Sequence, residues 1–225
     1  MLRKTVIAVI VSATFALPAH AQMSRLKGLM GGDASAEAAP AVATAAPDEA
    51  AQDALVQRFS ASQAHSLQAQ MAFAKAFGLA EQVQLLEAER LALSSGSVNT
   101  DTLKKARSVS ESVQIALDER QAQKPELSDE ARAHYAEGLV AMLQSVAEAR
   151  KLTMEASGFA ASVKSLGPMQ MALVGRKLMA GVWIAKESPG YVRGLYSSSK
   201  SAMTYARASK INVPANADSM LDALN

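Results

Sequence analysis

The stretch LSDEARAHYAEGLVAMLQSVAEA, residues 127–149, decides the fold class. Ser128 ahead of Asp129 and Glu130 marks a helix start, because a serine hydroxyl caps free amide groups and carboxylates favour the positive end of the helix dipole. Beyond it Tyr135, Leu139, Met142, Val146 and Ala149 recur at steps of three and four. That spacing gathers them on one helix face, whereas a half-buried strand needs alternation with a period of two. A long helix with one buried side, running toward Ala156, is predicted.

Working toward the amino end, the same periodicity recurs. Leu103, Ala106, Ser110, Val113 and Leu117 form a narrow stripe. Asn99 is placed as its N-cap, with Val98 and Leu103 at the two positions of a hydrophobic staple. Before it, Leu79, Val83, Leu86 and Leu93 share a face, and Ser94-Ser95-Gly96 marks the end of that helix. Earlier still, Pro47-Asp48-Glu49 fits a first helical turn, followed by Leu55, Phe59, Leu67, Met71, Ala74 and Phe77. Gly78 is expected to end this helix in the left-handed conformation.

Toward the carboxyl end the pattern predicts interruptions at Gly158, at Gly167-Pro168 and at Pro189-Gly190. Helices are expected over 159–166, over 169–188 and over 191–210, with a short tail over 214–225. No period-two run persists, so the expectation is an all-α antiparallel bundle of five or six helices covering 48–213.

Residues 1–21 carry Arg3 and Lys4, an apolar run from Val6 to Leu17, and Ala19-His20-Ala21. This is the pattern of a secretory signal peptide cleaved before Gln22. The run is about 12 residues, short of the roughly 18 that a membrane span needs. Residues 22–47 are rich in alanine and proline and offer too little apolar surface to offset ordering entropy, so a flexible linker is expected. Localisation is read as periplasmic or secreted. The chain has no cysteine, so packing rather than disulfides must hold it.

The composition argues against several kinds of chemistry. Only His65 and His134 lie beyond the leader, which is few for a metal site on facing helices. Covalent haem needs the absent cysteines, and a histidine–methionine haem is an unspecific motif, kept as a weak alternative. Ser197-Ser198-Ser199-Lys200 matches S-x-x-K, but S-D-N and K-T-G do not accompany it; Ser128-Asp129-Glu130 fails at its third position. Neither an enzymatic role nor a cofactor is expected.

Charge is distributed unevenly. Residues 33–157 carry 18 acidic and 11 basic groups, while 158–211 carry eight basic groups and only Glu187. A molecule of this polarity can steer an anionic partner to one end. Within the basic segment lies LMAGVWIAKESPG, residues 178–190, which holds the single tryptophan. Apolar residues surround the axis of the 169–188 helix, with Met171, Val174, Leu178, Val182 and Ala185 on one face, so it reads as a core helix.

The candidate partner surface is Arg176, Lys177, Trp183, Lys186, Tyr191, Arg193, Lys200 and Arg207, with a lip formed by Trp183, Lys186 and Tyr191. Cations and tyrosines without acids suit an anionic lipid, lipopolysaccharide or an acidic protein; nucleic acid is disfavoured by the leader. The other arrangement has these cations paired with Glu81, Glu87 and Glu89 across the fold. The functional expectation is an exported, non-enzymatic envelope protein that binds an anionic or apolar partner. The alternative is a structural adaptor or homo-oligomer.

Overall fold

A computed structural model describes residues 49–95 and 98–224. The leader over 1–21, its cleavage before Gln22, the segment 22–47, the Pro47-Asp48 turn and Gly96 lie outside the described residues. Among the described residues there are seven helices and no strand: α1 (Glu49–Ala76), α2 (Ala80–Ser94), α3 (Thr100–Gln123), α4 (Asp129–Lys164), α5 (Pro168–Val174), α6 (Met179–Ala208) and α7 (Ala217–Asp222). None is long and apolar enough to cross a membrane.

The local stop and start signals act as their chemistry dictates. The Asn99 side chain accepts from the amides of Asp101 and Thr102, both at 3.0 Å, and Ser128 Oγ accepts from the Ala131 amide at 3.2 Å. Gly78 takes φ +69°. Its amide donates to Lys75 O and the Leu79 amide to Ala74 O, closing the last turn of α1 with a Schellman pair.

α1 is the central element and packs most extensively on α4. The two run in opposite directions: Arg58 reaches Glu148 and Glu155, Ser62 meets Ser145, and Phe73 stacks on Tyr135. Close approach is possible because Gly138 faces α1; a Cβ there would stand 2.5 Å from the Phe73 ring. α6 lies alongside both, antiparallel to α4 and parallel to α1, with Tyr135 donating to Ala202 O and Phe77 against the Tyr205 ring. α2 and α3 flank α1, and α3 also touches α6.

The predicted faces of α1 to α4 are largely the core. Leu55, Phe59, Leu67, Leu86, Leu103, Leu117, Tyr135, Leu139, Val146 and Ala149 are buried. Their burial at roughly 25 cal/mol per Å² of apolar surface is the main stabilising contribution in a chain without disulfides.

The carboxyl third departs from expectation in four places. Gly158 does not interrupt α4, which continues to Lys164 because nothing crowds that position and the helical hydrogen bonds run through it. Pro189 does not break α6 either. Proline lacks the amide that would serve Ala185 O, but Ser188, one residue earlier, turns its hydroxyl back onto Ile184 O at 2.6 Å and toward Ala185 O at 3.5 Å. The interruption falls instead over residues 175–178, between α5 and α6. Finally, the tail carries α7, whose Ala217 and Leu221 are buried in the core, and α7 packs on α4 and α6.

Candidate functional site

α6 supplies most of the candidate residues, so its outer face defines the site. Lys186, Arg193, Lys200 and Arg207 follow one another at intervals of seven, and all four are exposed. At 1.5 Å rise per residue this row extends about 31 Å. Lys186, Arg193 and Lys200 have no carboxylate within ion-pair distance among the described residues, whereas Arg207 forks onto Asp218 at 2.7 and 2.8 Å.

The cations do not pair with Glu81, Glu87 and Glu89. Glu89 is buried and takes Lys105 of α3 at 2.8 Å. Glu187, the sole acid of α6, is held by Arg107 of α3, which also reaches Glu111 at 2.8 Å. The outer face of α6 is therefore left without a neutralising partner along most of its length.

Ahead of the row sits an apolar protrusion. Met169, Met171 and Leu173 on α5, with Met179 and Val182 on the first turn of α6, make up half of the ten large apolar side chains most exposed among the described residues. Met169 is 80%, Leu173 75% and Met179 61% exposed, so this is surface rather than core. Expecting Met171 and Val182 inside with Leu178 was incorrect. The side chains of 168–173 on α5 are exposed, and the buried stripe resumes only with Leu178, Gly181, Ile184 and Ser188.

Lys164, Arg176 and Lys186 are exposed before, within and after this segment and make no ion pair among the described residues. Lys177 is tied to Glu49 Oε1 at 2.7 Å, which raises its pKa and pins the start of α6 to the start of α1. Gln52 of α1 adds a second tie by accepting the Gly181 amide at 3.1 Å, so an unsatisfied donor of the first turn is capped from another helix.

Trp183 and Tyr191 do not form a lip. Trp183 is half-buried and stands edge-on to Phe59 at 5.6 Å. Tyr191 is only 9% exposed, with its ring 5.1 Å from Phe59. Its hydroxyl is 2.8 Å from Ser62 Oγ and 3.3 Å from Ser145 Oγ, which are 3.2 Å from each other. Burial raises the Tyr191 pKa, so the phenol stays neutral and acts as a structural joint of α1, α4 and α6. The break expected at Pro189-Gly190 puts this ring on the surface, and nothing in the local sequence signals the two serines that receive it.

Beside this joint, Gln63 is fully buried with both amide atoms unpartnered. It lines a hollow of about 110 Å³ with Gln70, Arg107, Gly190 and Gly194. The His134 ring stands 3.4 Å from Glu137, and no group of three metal-ligating side chains occurs among the described residues.

A much larger cleft, about 730 Å³, opens at the far end of α6. It is bounded by the carboxyl ends of α3 and α6 and by the connection Lys124–Leu127, with Lys200 on its wall. Its floor includes Tyr205, whose hydroxyl donates to Pro125 O at 3.2 Å.

No protein-family model matches the chain, and no similar curated protein or solved structure was found.

Proposed function

We propose that the chain is an exported, non-enzymatic antiparallel helical bundle of the bacterial envelope that docks on an anionic lipid surface. The observation that carries this reading is the run of exposed apolar side chains Met169, Leu173, Met179 and Val182, with unpaired Lys164, Arg176 and Lys186 before, within and after it in the chain. Apolar side chains enter the boundary between headgroups and acyl chains, while lysine and arginine remain at the phosphate level. Basic groups contribute about 1 kcal/mol each near an anionic surface. Export rests on the basic, apolar and small-residue pattern of residues 1–21.

Flotation with phosphatidylglycerol vesicles, set against phosphatidylcholine vesicles, tests this directly. Trp183 is one helical turn from Met179 and serves as the reporter. The expected result is salt-sensitive flotation with the anionic vesicles only, accompanied by a change in Trp183 emission. Loss of flotation in a Met169→Ser/Leu173→Ser/Met179→Ser variant of unchanged melting temperature is also expected. Wild-type protein that stays in the soluble fraction at low salt overturns the reading and leaves the adaptor role, for which the evenly spaced cations of α6 would meet an acidic helix.

A further inference from the structure

The cleft at the carboxyl end of α6 lies about 30 Å along that helix from the apolar protrusion, taking Met179 to Lys200 at 1.5 Å per residue. Its size falls in the range of small-molecule sites, roughly 300–1,000 Å³. Lys124, Arg132, Lys200 and Lys210 line it, against two acids, Asp118 and Glu126. Arg132 stands 3.6 Å from Asp129, and Asp118 already accepts from Gln114 at 2.9 Å. The three lysines have no carboxylate within ion-pair distance among the described residues. The apolar floor comes from Tyr205, Pro125 and Leu127, and Ser197, Ser201, Thr204 and Ser209 add hydroxyls to the wall.

Backbone conformation singles out two of the lysines. Lys124 (φ 49°) and Lys210 (φ 57°) are the two non-glycine residues with positive φ among the described residues, and both line this cleft. Each closes a helix: the Lys124 amide donates to Gln121 O, and the Lys210 and Ile211 amides donate to Arg207 O and Ala206 O. Glycine takes that conformation without strain, as Gly78 does at the end of α1. Compensating the helix dipole does not require this position, since a cation anywhere in the last turn does so. Both left-handed lysines thus line one cleft, at positions where glycine would be unstrained.

We infer that this cleft binds a phosphate-bearing polyhydroxy ligand, of the class of a sugar phosphate. The lysines and Arg132 receive the anion, the hydroxyl-bearing wall and the two carboxylates receive the polyol, and Pro125 and Leu127 pack on the apolar side of the ring. Charge-assisted hydrogen bonds to phosphate are the strong contacts of such a site.

The test is calorimetry and ³¹P NMR of the full chain with glucose 6-phosphate, glucose and inorganic phosphate as probes. Saturable binding of glucose 6-phosphate, tighter than either fragment, is expected. In the Lys124→Gly/Lys210→Gly variant the affinity should fall by at least about tenfold, while the melting temperature rises or holds. A merely structural role for the lysines would move stability without moving affinity. No saturation by glucose 6-phosphate at millimolar concentration, or an affinity unchanged in the glycine variant, overturns the inference.

Vesicle flotation of the same variant identifies the source of the phosphate. Flotation retained assigns a soluble ligand, and flotation lost together with sugar-phosphate binding assigns a lipid headgroup. Sugar-phosphate binding that survives in the Met169/Leu173/Met179 serine variant separates this site from the lipid-docking surface.

Discussion

The two ends of α6 use apolar side chains in opposite ways. At the carboxyl end, Tyr205 lies within a ring cluster, 5.5 Å from Phe77 and 5.1 Å from Tyr135, and Met203 and Ala206 face the core. At the amino end Leu178 and Ile184 still face the core, but Met179 and Val182 face outward, and polar ties to Gln52 and Glu49 help to hold the helix. Apolar content alone therefore does not assign a side chain to the core. What decides is whether a neighbouring helix stands opposite: α4 and α7 pack on α6, whereas Met179 and Val182 have no such cover and stay exposed.

The largest effect that tests this contrast is expected at the covered end. Tyr135 is fully buried and touches Phe73, Phe77 and Tyr205. Tyr135→Ala should cost about 3–5 kcal/mol of unfolding free energy in urea titration, whereas Leu173→Ala should stay within about 0.5 kcal/mol. Equal losses at the two positions would erase the distinction.

Gly138→Ala comes next, at about 1–3 kcal/mol, because its Cβ would overlap the Phe73 ring and force α1 away from α4. Lys210→Gly works in the opposite direction. It should gain about 1 kcal/mol, read as a higher melting temperature, by relieving a left-handed lysine.

A smaller effect belongs to the Arg58 cluster. Hydrogen bonding from Arg58, aided by Lys151, holds the Glu148 pKa below its usual value. A depressed carboxylate pKa contributes stability above the unfolded-state value, and that contribution disappears as pH falls through the folded one. Arg58→Ala should therefore lower stability at neutral pH and flatten the stability profile on its acid side, in a series of melts from neutral to acidic pH. The side chains remain 33% and 21% exposed, so solvent screening keeps the effect modest.

The sequence revealed what depends on neighbours in the chain. Asn99, Ser128 and Gly78 are caps whose partners lie within five residues, and many core residues of α1 to α4 follow from spacing, though Phe73 and the buried Ser62, Gln63 and Gln70 do not. The course of α6 through Pro189 was hidden because it depends on the direction of one hydroxyl, that of Ser188. Tyr191 looked like a surface residue because Ser62 and Ser145, which receive it, are 129 and 46 residues away. Met171 and Val182 escape the sequence for a related reason: periodicity says which residues share a face, but not which face meets protein. Lys124 and Lys210 carried no signal at all, since left-handed lysines are written no differently from helical ones.

The Gln52 cap on Gly181 also bears on the order of folding. Its two residues are separated by 129 positions, and Leu178, the local N-cap of α6, offers no side-chain hydrogen bond of its own. The first turn of α6 thus waits on loop closure with α1, an entropic cost paid before the contact is rewarded. α1, α3 and α4 carry their own stop or start signals and can nucleate locally, so the amino end of α6 is expected to be the last part of the long helices to become protected in a pulsed hydrogen-exchange experiment.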